Sequence, residues 1–325
     1  MDLRIKIDRQ NFALSSMNTL ITGGAGFIGF ELLSQWPEPL RSQVVVADFD
    51  EVRLRKAKEK FKINSVLGDV TDVRFMAEIV EKYKVSKIIH LAANSDIKNG
   101  STNSNLDFRN TLMSSLALAE IIKHFPISRV LFSSSSAVYG IQEQALHANN
   151  PILKEPISSY GWAKLGSEYA LQLSSILKKT TLQIFRFPNV VGPTPTHGIL
   201  YDMKLKLKKD SKKLDVLGDG SQTKPYMHVS ELSNILLTDF FNEGSQGGIY
   251  NIGPKSLVSV KEIIEIILKV SKLDPKITWG ESAYGWVGDV PNYEFDSNFP
   301  ASLTDPQVMS SREAVESSFK AWWSQ

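Results

Sequence analysis

A chain of 325 residues with 42% hydrophobic and 22% charged side chains is long enough to bury a large core and to form two lobes. Its 37 basic and 35 acidic side chains leave a net charge of +2, so no overall field selects nucleic acid or an anionic membrane as a partner. The lack of cysteine excludes a disulfide framework, a thiolate nucleophile and a cysteine metal cage, and it fits a reducing cytoplasm. No apolar run approaches the roughly 20 residues that span a bilayer.

Residues 1–16 mix charges with isolated apolar side chains and lack the continuous apolar segment of a signal peptide. They read as an extension ahead of a fold that begins near Met17. Thr19 to Thr22 forms a short buried strand, followed by a Gly-rich turn and a helix from about Gly26 that stops before Pro37. Val44 to Asp48 is a second strand, and Glu51 to Phe61 a charged helix. The alternation continues through Ser65 to Leu67, Val73 to Tyr83, Lys87 to Leu91, Asn105 to His124, Arg129 to Phe132, Ser159 to Leu177 and Thr181 to Phe185. Strands alternating with helices imply an α/β, doubly wound parallel sheet whose ligands lie beyond the carboxyl ends of the strands. After Arg186 the pattern turns irregular, with a helix over Val258 to Lys272 and an aromatic segment from Trp279 to Phe299.

The turn Gly23-Gly24-Ala25-Gly26-Phe27-Ile28-Gly29 sits between a strand and a helix, where backbone N–H groups and the helix N-terminus hold a pyrophosphate. Gly23 permits the turn, Gly26 admits the phosphate and Gly29 lets helix and sheet approach. Asp48 ends the second strand, 19 residues after Gly29 (48 − 29), where a carboxylate accepts both ribose hydroxyls and repels a 2′-phosphate. NAD is therefore favoured over NADP; the alternative is that Asp48 only caps the following helix. Tyr160 and Lys164 lie one helical turn apart, just after a strand that ends in Ser133 to Ser136. Positive charge from Lys164 and an oxidised nicotinamide is expected to favour the phenolate near neutrality. Tyr83 and Lys87 repeat the spacing, but across a helix end and a strand start, and read as accidental. The chain thus divides into the extension, an NAD-binding Rossmann domain over 17–185 and a substrate lobe over 186–325, part of which returns to the sheet.

Taken in order, these motifs resemble the extended short-chain dehydrogenase/reductase family, in its branch of NAD-dependent nucleotide-sugar epimerases and dehydratases. Gly68-Asp69-Val70, His90 to Ala93, Ala137 to Gly140, Tyr160-Gly161-x-x-Lys164 and Arg186 to Pro193 carry the resemblance beyond the Gly-rich turn. It implies that NAD lies along Gly23, Gly26, Phe27, Ile28 and Gly29 and meets Asp69 and Val70 at its adenine. Leu91, Ala92 and Ala93 would line its channel and Asn110 would brace the nicotinamide ribose, with Ser133, Tyr160, Lys164, Phe187 and Pro188 completing the site. The family serine stands four residues before the tyrosine of Val-Tyr-Gly, which selects Ser135 as the catalytic partner of Tyr160 and Lys164, with Ser134 as the runner-up. On the substrate side Asn189 would hold a diphosphate, while His197, Gly198, Leu200, Val216 and Leu217 would flank a uracil. Lys224 and Tyr226 follow in the same lobe, and Tyr293 would limit the sugar's C2 substituent.

Two features refine the implied reaction. Dehydratases of the branch carry an Asp-Glu pair before Val-Tyr-Gly to eliminate water, and here the pair is Ser136-Ala137. The expected activity is therefore 4-epimerisation of a nucleoside-diphosphate hexose, UDP-glucose and UDP-galactose first, through a transient 4-keto sugar. A net dehydrogenase or reductase and a non-catalytic NAD-binding regulator are the alternatives. Epimerases of the branch usually hold the diphosphate with arginines, yet no arginine occurs between Arg186 and Arg312, which leaves Lys224 as the expected cation. The basic stretches Arg53 to Lys62 and Lys204 to Lys213 read as solvated helix faces, and the five histidines show no metal-binding spacing. The helices Asn105 to His124 and Ser159 to Leu177 resemble the pair through which the family forms two-fold homodimers.

Overall fold

The computed structural model describes residues 18–94, 100, 103–142, 144–149, 152, 154–285, 288–303 and 306–324. The N-terminal extension, Trp286 and Val287 lie outside the described residues. β1 (Asn18–Thr22), α1 (Phe27–Gln35), β2 (Val44–Asp48), α2 (Glu51–Phe61), β3 (Asn64–Leu67), α3 (Val73–Tyr83) and β4 (Val85–His90) alternate as the periodicity requires. β2 is buried at all five positions, as a strand covered by helices on both faces must be. Asp50 and Asp72 start α2 and α3 by accepting the backbone N–H of Arg53 and of Arg74 and Phe75.

The helix expected over Asn105 to His124 is broken into three parts: a short turn Ser104–Asp107, a π-helical turn Phe108–Met113 and α4 (Ser114–His124). Ser115 donates to the Thr111 carbonyl at 2.9 Å, whereas the hydroxyls of Ser114 and Ser167 lie nearer the Asn110 and Ala163 carbonyls, at 2.8 and 2.7 Å. β5 (Arg129–Ser135), α5 (Ser159–Lys178) and β6 (Thr181–Phe187) follow, both strands running further than their apolar cores suggest.

The irregular second half contains β7 (Asn189–Val191), α6 (Ile199–Lys209), β8 (Lys213–Val216), β9 (Thr223–Lys224), β10 (Tyr226–His228) and α7 (Val229–Phe241). It ends with β11 (Gly248–Asn251), β12 (Val258–Ser259), α8 (Val260–Ser271), β13 (Lys276–Trp279) and α9 (Ser311–Trp323). Residues 258 and 259, read as helical, instead pair antiparallel with β9, because Ser259 caps α8 in a reciprocal capping box with Glu262.

Seven strands form one sheet in the order β11-β6-β5-β4-β1-β2-β3, and every pairing is parallel. The order reverses between β1 and β4, so the crevice of a doubly wound sheet opens where Thr22 lies beside His90. Leu200, Met203, Leu214, Ile263, Ile267 and Phe319 build a separate apolar cluster between α6, α8 and α9. Trp322 and Trp323 pack against that cluster. Lys204, expected in solvent, is buried with them: its ammonium donates to the Trp322 carbonyl and lies 4.3 Å from that indole's centroid.

Candidate active site

One cavity of about 780 Å³ runs from the Gly-rich turn, past the end of β5, to the turn after β8. Every residue assigned from the sequence to cofactor, chemistry or substrate lines it, the runner-up Ser134 excepted. The fold thus brings into one cleft side chains that are as much as 270 positions apart in the chain (293 − 23).

At the cofactor end the backbone leaves no room for side chains. Gly23 has φ +66°, and a Cβ there would fall 2.7 Å from the Ala92 nitrogen. A Cβ on Gly29 would fall 2.5 Å from the Cα and the carbonyl oxygen of Gly24, so this glycine packs α1 against its own entry turn rather than against the sheet. Asp48 is buried; its Oδ2 accepts the Ala25 N–H at 3.0 Å and its Oδ1 the Asp50 N–H at 3.1 Å. Burial raises its pKa despite those bonds. Asp50, not Asp48, caps α2, so the carboxylate of Asp48 ties the end of β2 to the Gly-rich turn and keeps its outer lone pairs for a ligand. A pyrophosphate over the turn and a ribose diol at Asp48 fit this cradle. Asp69 receives Arg109 at 2.7 Å and the Thr71 N–H at 2.9 Å.

Tyr160 and Lys164 leave the first turns of α5, which Ser158 caps by accepting the Gly161 N–H at 3.1 Å. Lys164 is 1% exposed; its Nζ donates to the Ser133 carbonyl at 2.5 Å and lies 5.8 Å from the Tyr160 ring centroid. Burial lowers its pKa to about 7, partly opposed by the negative charge of Glu168. Burial pushes the Tyr160 phenol well above the usual tyrosine range, the Ser135 hydroxyl pulls it down, and the Asp107 charge raises it further. Ser135 accepts the Ala137 N–H at 3.2 Å and lines the cleft, whereas Ser134 is fully buried and donates to Glu168. This separates the two candidate serines. Tyr83 and Lys87 form no such pair, since Lys87 meets Glu243 at 3.5 Å.

On the substrate side Tyr293 stands over the end of β5 and its phenol oxygen accepts the Ser136 hydroxyl at 3.1 Å. Lys224 lines the cleft, but its ammonium is already paired with Asp289, both largely buried. Its charge is therefore locally balanced by that carboxylate. Lys206, assigned to a solvated face, also lines the cleft and donates to the Asp215 carbonyl at 2.6 Å.

Several partners were not singled out from the sequence. Buried Asp107 accepts Ser159 at 2.5 Å and Asn94 at 2.7 Å, fixing the residue ahead of Tyr160; an acid inside an apolar helical face was the available signal. Arg186 makes a two-pronged contact with Glu168 at 2.9 and 2.5 Å and donates to the Tyr139 hydroxyl at 2.9 Å. His90 is fully buried between Thr22 Oγ1, 2.7 Å from Nδ1, and Ser115 Oγ, 3.2 Å from Nε2, and burial lowers its pKa to about 3.

The family model described as the NAD dependent epimerase/dehydratase family matches residues 19–253. The chain belongs to the NAD-dependent epimerase/dehydratase family. NAD is accordingly its cofactor. Among relatives, the UDP-glucuronate 4-epimerase of Thermodesulfobacterium geofontis is 25% identical over 81% of this chain and 87% of its own length. The dTDP-D-glucose 4,6-dehydratase of Dictyostelium discoideum is also 25% identical, over 78% of this chain and 62% of that protein. A solved UDP-galactose 4-epimerase superposes with a TM-score of 0.80 at 27% identity, covering 95% of this chain and 99% of that one. The seven-stranded sheet is thus the family fold.

The buried amine gives a testable pH dependence. Lys164 titrates near 7 in the fold against 10.5 when free, so between those values the unfolded chain binds the extra proton. Stability of the cofactor-free protein should rise with pH across that window. Lys164→Met, which buries no amine, should show a flatter profile and a higher urea midpoint near pH 7. Equal slopes for the two proteins between about pH 7 and about pH 9.5 would mean that Lys164 is not held in the dry site described.

Proposed function

We propose that the chain is an NAD-dependent 4-epimerase of a nucleoside-diphosphate hexose, with UDP-glucose and UDP-galactose as the substrate pair. The observation that carries this reading is the convergence of Ser135, Tyr160 and Lys164 at the end of β5, midway along a cleft that continues into the second lobe. NAD, when bound, supplies a reversible acceptor for the hydride of an alcohol carbon. The Gly-rich turn and Asp48 hold its pyrophosphate and adenosine ribose in this reading, and Lys164 turns its remaining N–H groups to the nicotinamide ribose.

Tyr160 takes the proton of the sugar's 4-hydroxyl and later returns it. Ser135 keeps its own O–H available because its oxygen already accepts Ala137 N–H, so it can donate to the phenolate or to the sugar oxygen. The raised pKa of the phenol in the packed protein means that this proton transfer depends on added positive charge in the cleft. Epimerisation further requires the 4-keto sugar to turn over before reduction, and the length of the cleft beyond Tyr160 gives it room. The wall at residues 136 and 137 favours this over dehydration: Ser136 is engaged with Tyr293 and Ala137 offers no acid or base.

The chain's self-association belongs to the same reading. α5 leaves Tyr169, Leu173, Ile176 and Leu177 at least 60% exposed, and Met113 and Leu116 are exposed on the adjoining helix. Helices α4 and α5 lie side by side, so these side chains form an apolar face that a second copy of the chain would cover in an isologous, two-fold contact.

Tyr160→Phe removes the phenol and keeps the ring, so interconversion of UDP-glucose and UDP-galactose should fall by roughly two orders of magnitude or more with NAD still bound. Tyr83→Phe should leave turnover within about twofold. Comparable rates for the two variants would remove Tyr160 from the chemistry, and no wild-type turnover of either sugar would reject this substrate pair. For the dimer, Leu173→Glu with Ile176→Glu should give a monomer by sedimentation equilibrium where the wild type sediments as a dimer. A monomeric wild type, or a dimer that tolerates both charges, would place the contact elsewhere.

A further inference from the structure

Asp107 closes the short turn Ser104–Asp107 and is fully buried against the first turn of α5. Each of its oxygens accepts a hydrogen bond from an uncharged group: Oδ1 from the Asn94 amide at 2.7 Å and Oδ2 from the Ser159 hydroxyl at 2.5 Å. Among the described residues no lysine, arginine or histidine is paired with it. A Cβ on Gly100 would collide with the carboxylate, so the neighbouring segment gives up a side chain to make room for it.

Both partners lead to the site. Asn94 follows the stretch Leu91 to Ala93 that lines the cleft, and its N–H donates to Thr111 Oγ1 at 3.0 Å. Ser159 immediately precedes Tyr160. A tie of this shape does not need a charge. Asparagine at position 107 could accept from Asn94 and donate to Ser159, whose hydroxyl already lies 3.4 Å from the Gly100 carbonyl and would turn to it. Burying a carboxylate that no cation compensates costs more than burying that amide, so the charge itself calls for a role.

Three groups of the described chain act on the Tyr160 phenol: the Ser135 hydroxyl from the end of β5, the Lys164 ammonium from the next turn of α5, 5.8 Å from the ring centroid, and the Asp107 carboxylate. The first two favour the phenolate and the third opposes it. On the substrate side Lys224 and Asp289 are closed on each other.

We propose that Asp107 is a positioning residue for the transferred proton: its charge keeps that proton on Tyr160 except while the cleft holds an oxidised nicotinamide. The inference rests on the epimerase reading and deepens it. When the C4–H bond yields its electron pair to the cofactor, the phenolate takes the 4-hydroxyl proton, and the positive charge of the nicotinamide disappears in the same event. The proton then stays on Tyr160 until the ketone recovers proton and hydride together.

The test compares the wild type with Asp107→Asn, which keeps the shape and the hydrogen bonding and removes the charge. NAD-loaded proteins are titrated by tyrosinate absorbance from about pH 6 to about pH 10, with Tyr160→Phe in each background to isolate the one phenol. Asp107→Asn should lower the Tyr160 midpoint by about one pH unit, and the pH profile of kcat with UDP-galactose should shift the same way. Loading the wild type with NADH instead should raise the midpoint. Asp107→Ser serves if the asparagine variant does not fold. Equal midpoints in wild type and variant, no titration of Tyr160 in either, or a midpoint that ignores the cofactor's oxidation state overturns the proposal and leaves Asp107 as a tie alone. A wild type that converts neither UDP-galactose nor UDP-glucose rejects the epimerase reading instead, and the absorbance titration still judges Asp107.

Discussion

An amine buried at 1% exposure in the first turns of α5 is the constraint around which the site is organised. Taking Lys164 out of water disfavours its charge strongly enough to bring its pKa to about 7, and the Ser133 carbonyl is its recorded hydrogen-bond acceptor. Holding it there requires α5 to lie close against the end of β5. Gly161 makes that possible, since a Cβ at this position would fall 2.5 Å from the Ala137 carbonyl oxygen. The same approach sets Tyr160 beside Ser135. A helix displaced outwards would hydrate the lysine, lower the phenol's pKa and separate the pair, so the chemistry and the packing are one arrangement.

A second buried network keeps that approach in register. Glu168, one turn beyond Lys164, accepts Ser134 from β5 and both prongs of Arg186 from β6. Arg186 continues to the Tyr139 hydroxyl, which donates to Asn251 at 2.8 Å on β11, and Asn251 donates to the Leu146 carbonyl at 2.7 Å. Three strands, one helix and the loop after β5 are thereby joined through fully paired polar groups. Such a network gives less net stability than its bond count suggests, but leaving one buried charge unpaired is severe, about 3–5 kcal/mol. The network therefore specifies geometry more than it adds stability, and it does so directly behind the cleft.

The first half of the fold was legible because its elements are local. Continuous apolar runs marked β1 and β2, the alternation of strand and helix patterns marked α2 and α3, and the Gly-rich turn required the strand before it and the helix after it. The π-helical turn at Phe108–Met113 was not legible, because it shifts the hydrogen-bond register inside one continuous helical pattern and leaves no mark on its period. The second lobe hid its strands for a related reason: β9 and β12 are two residues each, and β7 and β10 three, too short for any alternation to show. Motif spacing brought the named side chains to one cleft. Spacing could not show that Asp289 would pair with Lys224, that Lys204 would turn inwards onto Trp322, or that Lys164 would be held in so dry a place. Each depends on which groups share a dry space, and sequence distance carries no information about that.

The central claim is that one hydrogen leaves C4 of a nucleotide sugar and returns to the same carbon within a single cleft. The most direct test is to supply UDP-galactose carrying deuterium at C4 to the NAD-loaded protein and to measure the isotope in the UDP-glucose formed. The account predicts product that keeps its deuterium at C4, with none lost to water and no net reduction of NAD. Exchange with solvent at C4, or stoichiometric accumulation of reduced cofactor, would contradict it.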